Sequence, residues 1–403
     1  MSAARRLLAD ARGAQAANAL VGFIFAATGP VAIVLAVGTQ GGLAEADIAS
    51  WLFGSFFLNG LLTIAFCLRY RQPLAFFWTI PGTVLVGPAL GHLTFPEVIG
   101  AFVATGVLML ALGLTGWVRR CTEAAPMPIV MAMVAGVFLR FGTGLVHAVR
   151  DAAWVAGPMV AAFVLLSALP ALGRRVPPVI GALVVGAAAV ALLGGFDLSA
   201  RGEVRALAAP ILHVPAFSWQ AMVELVVPLA ITVLVVQNGQ GFAVLSAAGH
   251  KPPVDAIAVA CGAGSIAAGV VGTASTCLTG PVNAIISSSG DRERHYAAGV
   301  MVGALALAFG LFSPLFTRLM LATPPAFVAA LGGLAMLRVL QTAFGVAFGG
   351  RFALGALVTF LVTVADVPIL NIGAAFWGLV FGFAASWLLE RKDFAAAAVS
   401  RPG

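Results

Sequence analysis

Charge is what this sequence has least of. Only 9% of its 403 residues are Asp, Glu, Lys or Arg, against about 25% in a soluble globular domain. That shortage excludes a chain that hides one core beneath a charged, watered surface. Several signatures of chemistry are missing too. The sequence has no HExxH helix for a catalytic zinc, no paired Asp at one depth and no Walker A loop. GAGS at 262–265 offers the small residues of close helix packing rather than a phosphate loop. Cysteine is scarce: Cys67, Cys121, Cys261 and Cys277 show no CxxC spacing and lie in or beside apolar runs. They read as buried free thiols rather than as a disulfide or a metal site. The five histidines (92, 147, 213, 250, 295) fall in or near loops without clustering. Neither a cofactor nor an enzyme is expected.

Apolar residues, at 61%, fill the space that charge leaves. A helix crossing roughly 30 Å of hydrocarbon needs about 20 mostly apolar residues. Twelve runs fit, near 16–37, 47–68, 95–117, 126–147, 152–171, 177–194, 219–241, 253–271, 295–319, 323–346, 352–366 and 370–389. Two more, 73–94 and 272–289, are apolar but interrupted by Gly, Pro, Ser and Thr. In chain order these are segments 1 to 14, seven on each side of the loop at 195–218. The expected fold is an all-α polytopic membrane protein lying in a lipid bilayer. The first run is long and reads as an uncleaved span rather than a signal peptide.

The few charges are placed asymmetrically. With a cytoplasmic N-terminus, Arg5, Arg6, Arg12, Arg69, Arg71, Arg119, Arg120, Arg174, Arg175, Lys251, Arg292, Arg294, Arg351, Arg391, Lys392 and Arg401 all fall inside. Only Arg150, Arg201, Arg205 and Arg318 fall outside, as the positive-inside rule requires. Both termini are then cytoplasmic, and the net +7 reports topology rather than a nucleic-acid partner. Trp51, Trp117, Trp154, Trp219 and Trp387 stand at segment ends, where an aromatic belt would put them.

One phrase is written twice. TVLVGP (83–88) and TCLTGP (276–281) share the frame Thr-x-Leu-x-Gly-Pro at an offset of 193. A second echo, from Pro126 to Arg140 and from Pro324 to Arg338, is offset by 198. Matching features in the same order point to a duplicated half. Seven segments is an odd number, so the second half starts on the opposite side: a 7+7 inverted repeat, with the substrate site at the repeat interface near the midplane. Gly-Pro reads as a helix start, placing short helices after Gly87 and after Gly280. Ahead of them, TIPGTVLV and GTASTCLT suit extended chain, so segments 3 and 10 are each expected to be part strand and part short helix. Extended backbone cannot face lipid, and the two pieces would pair antiparallel inside the protein. Their helix N-termini would then present free N–H groups and partial positive charge near the midplane, a small anion site without a charged side chain.

Several residues could complete that site. Gln237 and Asn238 are amides deep in segment 8, beside Gly239 and Gly241 that permit close approach; the alternative is interhelical hydrogen bonding. Ser275, Thr276 and Thr279 surround the second helix start, and Thr79 and Thr83 the first, where hydroxyls can also simply satisfy local backbone. Phe25 and Thr28 in segment 1, with Phe76, Phe77 and Trp78 ahead of the first strand, could supply an aromatic wall or ordinary core. Arg140 and Arg338 lie within spans, where a charge costs about 2.5–3.5 kcal/mol and must face protein or water. They are read as carboxylate partners or gate latches, with snorkelling to the near interface as the alternative. Glu224 and Asp366 sit near outer segment ends, and no acid lies at mid-depth.

Together, ANALVGFIFAATGP (17–30), PLAFFWTIPGTVLVGPAL (73–90), VVQNGQGF (235–242) and GTASTCLTGPVNAI (272–285) resemble the benzoate membrane transport proteins, proposed benzoate:proton symporters of bacterial inner membranes. The resemblance covers essentially the whole chain. It implies a plan similar to that of the uracil and xanthine permeases and the sulfate/bicarbonate exchangers. In that plan a core domain (14–120 and 219–320) and a gate domain (125–195 and 322–390) hold the substrate between them. It also implies benzoate or a related aromatic carboxylate as substrate and a proton as coupling ion, with a homodimer left open. Nucleobase permeases carry glutamates where this sequence has Gln237 and Thr279. Neutral donors suit a carboxylate better than a base, so a nucleobase or inorganic anion is the alternative substrate.

Overall fold

The computed structural model describes residues 7, 10–11, 13–118, 126–169, 176–193, 195–196, 206–288, 291–369 and 374–394. Arg5, Arg6, Arg12, Arg119, Arg120, Arg174, Arg175, Arg201, Arg205, Arg401 and Cys121 lie outside them. Each expected segment contains helix. Among the described residues seven helices are long and apolar enough to cross a bilayer: Gln15–Gln40, Glu45–Tyr70, Phe95–Leu114, Met127–Asp151, Trp219–Ala247, Arg292–Leu311 and Pro325–Phe348. Shorter apolar helices occupy Ala153–Ala168, Pro178–Leu192, Val254–Gly269, Ala353–Ala365 and Ala374–Leu389. Segments 3 and 10 keep only Ile80–Ala89 and Gly280–Ile286 as helix, each preceded by a three-residue strand.

Exposure is inverted relative to a soluble protein. Leu61, Val107, Leu165, Val184 and Leu361 stand out from the helix bundle, while Ser55, Thr63, Asn238, Thr276 and Asn283 are wholly buried. Apolar side chains turned outward suit lipid, and the polar groups must find partners within. Trp117, Trp154, Trp219 and Trp387 are exposed at helix ends, as an aromatic belt requires. Trp51 is not: it is fully buried, stacked on Phe95 and edge-on to Phe102.

Close approach of helices relies on small residues, as in segments 4 and 9. A Cβ on Gly262 would lie 2.5 Å from the Leu110 backbone nitrogen, so GAGS is a packing surface. Proline and polar side chains interrupt the long helices elsewhere. Segment 1 breaks at Thr28, between Ala14–Ala27 and Gly29–Gln40, with Pro30 in the new first turn. Segment 8 carries two π-helical stretches, Met222–Val226 and Thr232–Gln237. Pro228 has no N–H to offer the Glu224 carbonyl four residues back, which loosens the first of them.

The strands are β1 (Phe76–Trp78) and β2 (Thr276–Leu278), paired antiparallel with Phe76 opposite Leu278, Phe77 opposite Cys277 and Trp78 opposite Thr276. The ladder extends by Thr79 N–H to Ser275 O (2.9 Å) and Thr279 N–H to Ala75 O (3.1 Å). The expected pairing is present, but the segment 3 boundary differs. TVLVGP is helix, Pro88 lies inside it, and the strand is the aromatic FFW that was expected to precede it. Aromatic residues favour strand, and Pro81 fits the first turn of the helix that Thr79 caps through Gly82 N–H at 3.2 Å. The hexapeptides are therefore not structural counterparts. Strand, a Thr at the N-cap position and Pro recur between 76–81 and 276–281, an offset of 200, close to the 198 of the Pro–Arg pair, though only Thr79 caps through its hydroxyl.

Candidate functional site

A two-stranded ribbon in mid-bundle has two open edges, and buried unpaired peptide groups are costly there. In this chain polar side chains meet several of these groups. Phe76 donates its N–H to Thr63 Oγ1 at 2.8 Å and accepts from the same hydroxyl at 3.2 Å. Leu278 N–H donates to Asn238 Oδ1 (2.8 Å), and Thr276 N–H to Ser265 Oγ (2.9 Å). Ala75 N–H donates to Asn283 Oδ1 (2.9 Å), whose Nδ2 donates to the carbonyls of Ala75 and Thr279. Thr276 donates through its hydroxyl to Asn59 Oδ1 at 2.8 Å. Segments 2, 8, 9 and 10 thus each lend a group that holds the ribbon.

These bonds sort the expected site residues. Asn238 and Thr276 are committed to the ribbon. Thr79 caps its own helix and touches Thr232 Oγ1 at 3.4 Å, while Thr83 donates to the Thr79 carbonyl at 2.9 Å. Thr28 donates to the Phe25 carbonyl (3.2 Å) at the break in segment 1. Gly280 lets the segment 10 helix rest on segment 8, since a Cβ there would come within 2.8 Å of Gln240 Cβ. Phe76, Phe77 and Trp78 are core: Phe77 and Trp78 pack on Phe56, and Phe76 on Phe66.

Three polar side chains beside the ribbon stay uncommitted. Gln237, 6% exposed at the end of the second π stretch, makes no side-chain hydrogen bond among the described residues. Thr279 is equally near-buried, and its hydroxyl does not cap the helix it precedes. Ser275 Oγ is buried without a partner. The first helix start is thus capped by its own threonine and the second is open. Thr79 lies opposite Ser275, so about 13 Å of ribbon, at roughly 3.3 Å per residue, separates the two helix starts. A single carboxylate group can meet only one of them. The Gln237–Thr279 end has two donors to spare, and the Thr79 end only the Ser275 hydroxyl.

Two cavities each hold one of the expected arginines. One, of about 290 Å³, is lined by Leu85 and Pro88 of segment 3, Arg140 of segment 5, Glu224 of segment 8, Thr363 and Asp366 of segment 13, and Ala374 of segment 14. The other, of about 430 Å³, is lined by Phe25 and Thr28 of segment 1, Ser167 of segment 6, Pro177 of segment 7, Ile285 of segment 10 and Arg338 of segment 12. Each expected arginine therefore faces a cleft rather than lipid alone. Arg140 donates to the carbonyls of Val137 (3.2 Å) and Val84 (3.4 Å). The Val84 carbonyl is the one that Pro88, lacking an N–H, leaves without its helical donor. Gly87 faces the same guanidinium, its Cβ position lying 3.5 Å from Arg140 Nη1. Among the described residues Arg338 donates to Gln341 Oε1, at 3.3 Å.

Sequence reasoning missed Thr63, Ser265 and Asn283. Hydroxyls and amides inside apolar runs were the available signal, but which strand they serve depends on tertiary register. It also separated two histidines that the fold joins: His250 Nε2 and His295 Nδ1 are 3.1 Å apart. Among the described residues no group of three or more His, Cys, Asp or Glu could hold a metal.

Comparison with known proteins agrees with this architecture. A family model described as "Benzoate membrane transport protein" matches residues 10–388. The chain is 29% identical to the inner membrane protein YdcO of Escherichia coli, over 90% of this chain and 93% of the relative. It is 25% identical to the benzoate membrane transport protein of Acinetobacter baylyi, over 90% and 91%. Among solved structures, the transmembrane domain of a cyanobacterial bicarbonate transporter, BicA, superposes with TM-score 0.63 at 17% identity, covering 92% of this chain and 97% of that one. The murine Solute Carrier 26 member A9 anion transporter, in its inward-facing state, gives 0.61 at 16%, covering 93% and 68%.

Proposed function

Because the chain belongs to the benzoate membrane transport protein family and is a membrane transporter rather than an enzyme, we propose that it imports benzoate or a similar small aromatic carboxylate by proton symport across the bacterial inner membrane. Its core domain, 14–120 with 219–320, and its gate domain, 125–195 with 322–390, move against one another, and both termini face the cytoplasm. The carboxylate is bound at the Gln237–Thr279 end of the ribbon, with Ser275 left at the opposite, Thr79 end. The ring rests against the apolar wall that Phe25 begins.

One observation carries the alternating-access reading. The Arg140 cavity draws on segments 3, 5, 8, 13 and 14, and the Arg338 cavity on segments 10, 12, 1, 6 and 7. Moving each segment number by seven turns the first set into the second. That exchange is what an inverted 7+7 repeat requires of two half-access pathways meeting at a central site. The volumes, about 290 and 430 Å³, lie at the low end of small-ligand pockets. A midplane with neutral donors only favours a carboxylate, which a glutamate at Gln237 would repel.

The test is uptake into proteoliposomes under an inwardly directed proton gradient, with labelled benzoate challenged by salicylate, uracil, sulfate and bicarbonate. Competition by salicylate alone is the expected result. Competition by sulfate or bicarbonate would move the assignment to inorganic anions, and competition by uracil to nucleobases.

A further inference from the structure

No acid stands at the ribbon, so the proton of the proposed symport needs a carrier elsewhere. Glu224 is 5% exposed, inside the π-helical turn Met222–Val226 of segment 8. Its Oε2 is 2.9 Å from Nε2 of His92. His92 sits in the turn that ends the segment 3 half-helix, its N–H bonded to the Ala89 carbonyl. The same carboxylate lines the 290 Å³ cavity together with Arg140 and Asp366. From this geometry we infer that the His92–Glu224 pair is the proton-carrying site of the transporter, loaded from the Arg140 cavity. The inference rests on the symport reading above.

A carboxylate removed from water in a membrane protein persists only if it is paired or neutralised. An imidazole partner allows either state, because it can hold a proton or accept a hydrogen bond at the nitrogen that faces the carboxylate. The pair therefore holds a net charge of zero with one exchangeable proton, or of minus one without it. The proton arrives from bulk water through the cavity and rests on the imidazole or the carboxylate; no other bond is made or broken. The charged and titratable groups facing the pair are Arg140 on segment 5, Asp366 at the end of segment 13 and Glu97 at the start of segment 4. Segment 14, which also packs on this turn, offers none between Ala374 and Leu389.

A substrate anion drawn toward Arg140 adds negative charge to a space that already holds two carboxylates. That charge favours the protonated pair, and by reciprocity the protonated pair favours the anion. The bridge also joins the segment 3 half-helix, which begins at the ribbon, to segment 8, which carries Gln237. Proton state and substrate occupancy are thus read by the same two elements.

The experiment compares gradient-driven accumulation of labelled benzoate with benzoate counterflow, in proteoliposomes, for the wild type and Glu224→Gln. Counterflow exchanges substrate without net proton release. Glu224→Gln is expected to lose at least tenfold in accumulation while counterflow stays within about threefold of wild type. Accumulation equal to wild type overturns the assignment and leaves symport standing. A wild type indifferent to the gradient removes symport itself, and the assignment with it. Loss of both activities in folded Glu224→Gln marks a merely structural bridge and also overturns it. Should Glu224→Gln not fold, His92→Gln keeps a donor to the carboxylate and is expected to displace the pH profile of accumulation; an unchanged profile overturns the proposal.

Discussion

Thr63 offers a direct measure of how the ribbon is maintained. Both polar groups of the Phe76 peptide rest on its hydroxyl, at 2.8 and 3.2 Å, and residue and partner are fully buried. Thr63→Val keeps the side-chain shape and removes only that oxygen. Two buried peptide groups then lose their partner, each at about 1–3 kcal/mol. A methyl is easier to bury than a hydroxyl, which returns about 1 kcal/mol. The net loss is about 3 kcal/mol, or roughly a hundredfold in the local opening equilibrium at 1.4 kcal/mol per factor of ten.

Because the loss is local, hydrogen exchange resolved to the peptide spanning 74–80 is the appropriate assay. Amides there should exchange about a hundredfold faster in Thr63→Val, with helices such as Met127–Asp151 little changed. Thr63→Ser restores the hydroxyl and should return exchange to within a few-fold of wild type. Wild-type exchange across 74–80 in Thr63→Val would refute the reasoning, since it would mean that Phe76 is held by something other than Thr63.

Three further outcomes are expected. Gln237→Glu should weaken benzoate binding by one to two orders of magnitude at pH 7.5, from like-charge repulsion of about 2–3 kcal/mol at an effective dielectric near 20; titration calorimetry that finds unchanged affinity removes Gln237 from the site. Arg140→Gln should lower thermal stability by baring the Val84 carbonyl, and Pro88→Ala, which restores an N–H to that carbonyl, should recover about 1 kcal/mol of it in a double-mutant cycle; strict additivity would sever the link. Burial, then the neighbouring His295 and Arg292, holds His250 down at about 4; an unfolded histidine protonates near pH 6.5, so this contribution is complete above pH 6.5 and is lost as pH falls toward 4. His250→Gln should flatten the melting temperature across that window, and an unaltered slope would count against it.

Much of this fold is legible in the sequence because membrane constraints are strict. Apolar length marks the segments, and Gly, Pro and Thr inside the short ones mark interrupted helices. Register was harder. TVLVGP and TCLTGP look alike, yet one is helix and the other strand plus helix start, because FFW supplies a better strand than TVL and Thr79 a better cap. Thr-x-Pro, shared at 79–81 and 279–281, is the deeper echo, and echoes offset by 193, 198 and 200 residues cannot be ranked from the sequence alone. The site was legible in kind rather than in role. Gln237 and Thr279 stood out as neutral amide and hydroxyl groups, whereas Asn238, one residue on, turned out to serve Leu278. Neighbours on a helix lie about 100° apart, and sequence does not say which of two amides faces the strand.

The distribution of charge follows from the same geometry. The side chains that bond the open edges of the ribbon, Thr63, Asn238, Ser265 and Asn283, are all neutral, so no formal charge is used to hold it. Formal charge instead stands in the two cavities, at Arg140 with Glu224 and Asp366, and at Arg338. An anion passing through would meet a guanidinium on each approach and only dipoles at the centre. A fixed charge at the centre would bind a carboxylate through a desolvated ion pair, and breaking such a pair is costly. Dipoles give a shallower well, from which the substrate can leave as readily as it arrived. Turnover in a carrier depends on that balance more than on affinity, because a site that must be exposed to both sides has to release what it binds.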